Sequence, residues 1–394
     1  VSHSPLGVVA LAALLLAALL GVRIAVAGGP SGLVVAGDAS VHPDRPADLA
    51  VVHKDSTGYD GQFVYRLALD PFTRAGTAYG ITLDNPPYRQ QRVGLPLAAW
   101  AVAKTGLPLS VALLLVNALA LLAAAWAGAV LAVRLGRDAR WGLLVAFSPA
   151  LVIGVARDLT EPLTTALLLL GLVAWTAPRA APRAAVRTAL LGTVAFTAAV
   201  LTRETTLAVL SGLGLYEVWT LLRDPAHRAA ALARAALLLV PLAAYLGWQA
   251  HLRHVWGRLP LAATDGDVGL PILHTLRSLP LGGGAWADWA SKDALQAHAW
   301  VVERFLLAAL LVVVAWALRR SRLHPALKYG WVVGALLALT ATWGRDVAFL
   351  RAANEAVVLG LLVLLGTRAR AATYVLAGVA GLSLYVAVAY GVVL

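Results

Sequence analysis

The run Leu6–Ala27, LGVVALAALLLAALLGVRIAVA, decides the fold class. At about 1.5 Å of helical rise per residue it reaches about 33 Å, enough to cross a hydrocarbon core of about 30 Å, and it is too long for a signal-peptide core. Ala25-Val26-Ala27 has a faint A-x-A outline, but no clean small-x-small cleavage site follows before a charged domain, so the run reads as a retained helix. The rest of the 394-residue chain repeats the pattern: 60% of it is hydrophobic and 13% charged, with a mean hydropathy of +0.78. A soluble globule is nearer half apolar. Further apolar segments lie at 107–133, 141–156, 162–177, 186–201, 206–222, 231–251, 300–318, 327–343, 350–366 and 372–394. The expected fold class is therefore all-α, a polytopic transmembrane helix bundle of about eleven or twelve spans.

The chain carries 32 basic against 20 acidic residues, a net charge of +12. In an apolar chain that excess marks loops facing anionic lipid on the cytoplasmic side, and nucleic acid is a poor partner for it. Arg134/Arg137/Arg140, Arg179/Arg183/Arg187, Arg223/Arg228/Arg234, Arg319/Arg320/Arg322/Lys328 and Arg368/Arg370 fall on alternate loops. The opposite side then receives 28–106, the junctions Arg157–Glu161 and Thr202–Thr205, the loop 252–299 and Gly344–Glu355, and with them nearly every Asp and Glu. This parity needs Val93–Ala103 not to cross, and the stretch reads as an interfacial or re-entrant helix between Arg92 and Lys104. With no Cys there are no disulfides and no thiol chemistry. No P-loop, Gly-x-Ser-x-Gly elbow or His-Glu-x-x-His signature is present, which leaves ATP-driven transport, serine hydrolysis and zincin proteolysis without support.

The first outer loop gathers HKDSTGYDGQFVYR, His53–Arg66. Thr57-Gly58-Tyr59-Asp60 fits a capping box, Phe63 and Leu67 share one helical face, and Gln62, Arg66 and Asp70 share another. A short amphipathic surface helix is expected, and on that pattern alone Asp60 is a cap, Tyr59 and Phe63 are interfacial anchors and Arg66 pairs with Asp70. Against this bland reading stands a recurrence of charge on the same side: Arg157-Asp158-Leu159-Thr160-Glu161, Arg203-Glu204, and Arg345 and Arg351 in GRDVAFLRAANE. Ionisable groups at helix ends of an apolar bundle are costly unless they pair or line a wet cavity. Two readings therefore stand for each cluster, a functional site or a structural ion pair such as Arg351 with Glu355 one turn on.

Four segments together carry a resemblance: STGYDGQFVYRLALDP (56–71), LDNPPYRQQRVGLPL (83–97), FSPALVIGVARDLTEPLTTALLLLGL (147–172) and AVLTRETTLAV (199–209). They resemble bacterial integral membrane proteins of cell-surface glycopolymer formation, which are similar in turn to the C-type (GT-C) glycosyltransferase superfamily. The resemblance covers approximately residues 1–222 and is specific at Tyr59–Arg66, with its YDGQF core, and at Arg157–Pro162. It implies an all-helical membrane fold, an acidic residue in the first outer loop that maps onto Asp60, and a polyprenyl-phosphate-linked sugar as donor. The superfamily often has two adjacent acids; here Gly61 follows Asp60, and Asp55 lies five residues before it.

The resemblance implies a glycosyltransferase, hexosyl or pentosyl, acting on an envelope glycan or lipid acceptor at the outer face of the bacterial cytoplasmic membrane. Residues 1–251 would form the catalytic module, 252–299 an outer loop and 300–394 C-terminal transmembrane helices. Such transfer needs a base at the acceptor hydroxyl, here Asp60, and positive charge at the leaving phosphate, for which a guanidinium fork is well shaped. The candidate substrate-binding residues are Asp55, Tyr59, Gln62, Arg66, Tyr88, Arg89, Arg92, Arg157, Asp158, Glu161, Arg203, Glu204, Arg345 and Arg351. The sequence establishes no required cofactor, and a divalent cation stands as an option. Asp265 and Asp267 near His251, His254 and His274 could hold Mg2+ or Mn2+, and D-G-D is equally ordinary turn chemistry. Trp286 and Trp289 fit a sugar platform or an interfacial belt. The competing readings are a transporter or flippase of lipid-linked sugars and a non-catalytic subunit of a glycopolymer assembly complex.

Overall fold

The structure, a computed structural model, describes residues 4–177, 182–263, 269–270, 272–273, 292–340, 348–367 and 369–389. Helix α1 (Pro5–Val26) opens with Ser4 as its cap and Pro5 in its first turn, where a missing N–H costs nothing. Residues 28–108 then build a long connecting loop containing α2 (Gly61–Leu69), α3 (Pro86–Gln90) and α4 (Gly94–Ala103). Two small ladders brace it: β1 (Ala36–Gly37) runs parallel to β2 (Val52–His53), and β3 (Thr77–Ala78) pairs antiparallel with β4 (Ile81–Thr82). The bundle follows as α5 (Leu109–Arg134), α6 (Trp141–Ala146), α7 (Pro149–Ala156), α8 (Glu161–Trp175), α9 (Pro182–Thr202), α10 (Thr206–Arg223) and α11 (Arg228–Trp256). It closes with α12 (Lys292–Ala317), α13 (Pro325–Ala338), α14 (Ala348–Ala352), α15 (Asn354–Leu365) and α16 (Arg370–Val388).

Every apolar segment read from the sequence carries a helix, and two carry a broken one. The segment 141–156 divides at Ser148-Pro149, where proline can start α7 but not continue α6. The segment 350–366 divides at Ala353 into α14 and α15. Among the described residues four helices are long and apolar enough to cross a membrane: α1, α5, α11 with the turn before it, and α16. Shorter apolar helices include α4, α8, α15 and the Arg187–Thr202 part of α9. The chain is a mostly helical membrane protein.

Helix α5 is the central post. It packs against α1, α4, α6 and α8, and α15 lies beyond with all twelve of its residues buried. Arg137, in the loop after α5, donates to the carbonyls of Leu365 and Thr367 and so caps the C-terminal end of that helix with a cation. The loop of residues 28–108 has its own apolar core. Val34, Ala36, Leu49, Tyr65, Ile81 and Leu95 pack onto Leu109, Ala112 and Leu113 of α5, so the loop is a lid fused to the post.

Helix α2 is present as expected, but its polar face is not wet. Gln62 and Arg66 are both 0% exposed. The Gln62 carboxamide accepts from Gly37 N at 3.0 Å and donates to Thr57 O at 2.8 Å, fastening β1 to the turn that leads into α2. Arg66 donates to Thr73 Oγ1 and Ala75 O, with its guanidinium over the Tyr79 ring. The expected capping box does not form: α2 starts after Asp60, and the Asp60 carboxylate makes no cap hydrogen bond.

Gly61 explains how closely α2 sits on the bundle. A methyl there would lie 2.5 Å from Arg157 O and 2.6 Å from Val34 O, both backbone atoms that cannot turn aside. Gly61→Ala is therefore expected to cost about 1–3 kcal/mol, read as a lowered thermal midpoint in detergent. Gly21→Ala, where an added methyl meets nothing within 4 Å, is the control and leaves the midpoint level or slightly higher. Equal midpoints for the two variants would mean that the loop is not seated on the Arg157 junction.

Candidate active site

Asp60 stands at the head of α2, half-buried, with its carboxylate turned toward the helix ends beneath the loop. Arg89 Nη1 donates to Oδ1 and Arg351 Nη1 donates to Oδ2, each at 2.8 Å. Burial alone would raise the proton affinity of this carboxyl. The charges of Arg351 and Arg89, with Arg92 behind them, outweigh that and hold it well below the usual carboxylate range.

Each arginine is gripped by a second acid. Asp84 takes Arg89 Nε and Nη2 at 2.8 and 2.7 Å in a bidentate fork. Glu161, 0% exposed at the start of α8, accepts from Arg351 Nε at 2.6 Å and also from Arg203 Nη1. The result is an alternating chain of charge, Asp84–Arg89–Asp60–Arg351–Glu161–Arg203, that crosses from the lid into the bundle. Beside it Arg92 binds Glu204 through both oxygens, at 2.6 and 3.0 Å, and donates to Tyr88 OH at 3.0 Å. Burial would push the Glu204 carboxyl up, but Arg92 reverses that and brings it down to about 2.

Aromatic rings carry the cations. Arg89 lies 4.4 Å above the Phe63 ring, and Arg157 lies 4.3 Å above Tyr59, whose hydroxyl accepts from Arg351 at 3.2 Å. Helix α3 and the turn after it present Arg89 and Arg92 to this network and Gln90 and Gln91 to α11. Gln90 receives Trp256 Nε1 at 2.7 Å on its side chain and Trp248 Nε1 at 3.2 Å on its carbonyl, while Gln249 donates to Gln91. A five-residue helix has little stability of its own, so this clasp fixes where both arginines point.

The structure brings together Asp60, Tyr59, Tyr88, Arg89, Arg92, Arg157, Glu161, Arg203, Glu204 and Arg351 from the expected set. Gln62 and Arg66 are buried fasteners of the loop instead, as described above. Asp55 sits on the surface with positive φ, its N–H bound to Asp38 Oδ2. Asp158 is 0% exposed in a left-handed turn between α7 and α8, with Asn117 Nδ2 at 3.5 Å from Oδ1. Burial pushes its carboxyl up to about 8, against the Asn117 contact, so at neutral pH it mostly holds a proton. Arg345, Asp265, Asp267, His274, Trp286 and Trp289 lie outside the described residues. Among the described residues no three His, Asp or Glu are grouped to hold a metal ion.

Asp84 was not among the expected residues, although its position five before Arg89 across the Asn85-Pro86 turn was open to reading. The pairing also differs from the local one: Arg351 reaches Asp60 and Glu161, while Glu355 accepts from Thr205 Oγ1 at 2.5 Å. Between the charged groups lies a pocket walled by Phe63, Val64, Leu67, Pro96, Leu159 and Thr160, with ≈ 20 Å³ open to a water-sized sphere. A larger cavity of ≈ 480 Å³ lies between α9 and α11, but its wall is apolar apart from Thr188 and Arg234 and offers no base.

A crystal structure of ArnT from Cupriavidus metallidurans bound to undecaprenyl phosphate is similar at 16% identity, covering 90% of this chain and 59% of that one, with a TM-score of 0.48. The same protein in the apo state gives 17% identity, coverage of 90% and 58%, and a TM-score of 0.46. The chain thus spans somewhat under two thirds of the length of the solved structures it matches. No protein-family model and no curated protein matches the sequence.

Two outcomes follow from the ion pairs. The folded Glu204 carboxyl is more acidic than an unfolded one, so its pair stabilises the fold at neutral pH and is lost as pH falls from about 4.5 toward about 2. Urea midpoints measured across that window should fall more steeply for wild type than for Glu204→Gln. Glu161→Gln strips a shared partner from two buried arginines and should cost about 3–5 kcal/mol. Asp138→Asn, at the more exposed Arg140 pair, should cost at most about 1 kcal/mol by the same denaturation measurement.

Proposed function

We propose that this chain is a C-type membrane glycosyltransferase that moves one sugar from a polyprenyl-phosphate carrier to a cell-envelope glycan or lipid acceptor. The reaction belongs on the extracytoplasmic face of the bacterial cytoplasmic membrane, where the positive-inside pattern puts residues 28–106. The observation that carries the reading is the meeting of one accessible carboxylate, Asp60, with the guanidiniums of Arg89 and Arg351 at the end of an apolar bundle. A base beside phosphate-binding groups is what transfer from a phosphate-linked sugar demands.

In this reading Asp60 accepts the proton of the acceptor hydroxyl as its oxygen attacks the anomeric carbon. The bond from that carbon to the phosphate oxygen breaks, and polyprenyl phosphate leaves with the electron pair. Arg89 and Arg351 receive the growing charge, with Arg92 and Arg203 one layer back. Guanidinium suits the task because its fork bonds two phosphate oxygens and stays charged. A single displacement inverts the anomeric centre. The apolar wall of Phe63, Val64, Leu67, Pro96 and Leu159 beside the arginines suits the first isoprene units of the carrier.

The test is release of polyprenyl phosphate from a panel of radiolabelled undecaprenyl-phosphate sugars, with protein in lipid nanodiscs and envelope extract as acceptor. Wild type should turn over and Asp60→Asn should lose at least about 100-fold, the lower range for general-base catalysis, while still showing a cooperative thermal transition. Full activity in Asp60→Asn would remove that residue from the mechanism. Donor lipid crossing a sealed vesicle bilayer with no bond broken would replace transfer by transport.

A further inference from the structure

We propose that the place filled by the Asp60 carboxylate is itself the seat of the donor phosphate, so that the two anions compete for Arg89 Nη1 and Arg351 Nη1. The inference rests on the glycosyltransferase reading and names the phosphate subsite within it. Its basis is the way the two arginines are held. Arg89 spends Nε and Nη2 on Asp84, Arg351 spends Nε on Glu161, and each turns Nη1 to an opposite oxygen of one carboxylate, that of Arg351 also reaching the Tyr59 hydroxyl. The Phe63 ring lies under the first guanidinium and the Tyr59 ring within 5.4 Å of the second, so neither fork is free to swing.

Two anchored donors converging from α3 and α14 on one point form an anion clamp. The two non-bridging oxygens of a phosphodiester stand only slightly further apart than those of a carboxylate and share the same single negative charge. The pocket beside Asp60 is small, and the two Nη1 groups that face it are already taken by the Asp60 carboxylate. Donor binding is therefore an exchange of occupants. Asp60 is equipped to move, because its side chain takes no part in capping α2 and a change of rotamer needs no change of backbone.

The exchange has a chemical consequence. While the clamp holds Asp60, the carboxylate is a weak base. Around it stand Arg89 and Tyr88 from α3, Arg92 from the turn after it, Arg351 from α14, Tyr59 with Arg157 on its ring, Glu161 at the head of α8 and Glu204 behind Arg92. Once a phosphate neutralises Arg89 and Arg351, the displaced carboxylate regains its affinity for a proton. The base becomes competent only when the donor has arrived. Asp84 and Glu161 act in this as positioning residues, keeping the two forks aimed after Asp60 has left.

The experiment measures equilibrium binding of undecaprenyl phosphate, and of inorganic phosphate as its soluble headgroup, to wild type and Asp60→Asn in nanodiscs. Asp60→Asn should bind both about tenfold more tightly, since a neutral amide gives up the clamp more readily than a carboxylate. Asp84→Asn should raise the donor KM more than it lowers kcat, and Asp84→Glu should restore it. Unchanged or weaker phosphate binding by folded Asp60→Asn overturns the shared seat even if wild type transfers sugar. Tighter binding by Asp60→Asn with no turnover by wild type keeps the seat and removes the transferase reading.

Discussion

The rest of the structure depends on one guanidinium, that of Arg351, held between Asp60 and Glu161. A buried cation with one partner removed is strongly destabilising, and with two partners on different elements it ties those elements together. Asp60 belongs to the lid and Glu161 to the bundle, so the loop of residues 28–108 is fixed at the point where chemistry is proposed. The apolar core under the loop seats it broadly on α5, and the ion chain sets its position at the site. Burial supplies the larger energy, and directional bonds supply the register.

The helices were legible because their signal is long and redundant. Every apolar run in the sequence became helical, and even the break before Pro149 was written in a proline. The break at Ala353 was not, since Ala and Asn fit a continuous helix about as well as an ended one. The site was legible in its members more than in its pairings. Arg351 with Glu355, Arg157 with Glu161 and Arg203 with Glu204 all invite a local reading, because helix spacing is all that a single sequence reports. The observed bonds of Arg351 to Asp60 and Glu161, and of Arg92 to Glu204, join residues 291, 190 and 112 positions apart. Arg66 misled for a related reason. Its periodicity put it on a polar face, and only the fold of Thr73–Ala75 over it turned that face inward.

The clasp between α3 and α11 shows how a marginal element becomes precise. Five residues beginning Pro86-Pro87 would not hold a helix in water, yet Arg89 and Arg92 need an exact direction. The two glutamines between them supply it by meeting Trp248, Gln249 and Trp256 on a helix of 29 residues. The alternation of Arg and Gln in YRQQR thus divides labour on one helical turn, with the arginines facing the site and the glutamines facing the support.

The placement of Arg351 also bears on how the protein is made. Ribosomal synthesis delivers Asp60, Arg89, Glu161 and Arg203 long before Arg351, which lies just ahead of α15, the helix buried on all sides. Until the last helices have entered the membrane, Glu161 has only Arg203 and Asp60 only Arg89, and the cleft reserved for α15 stands empty. One late insertion event then fills the bundle and closes the charge chain together. A chain truncated before α14 would leave an apolar cleft and under-paired acids side by side, a combination by which quality-control proteases could tell unfinished protein from finished.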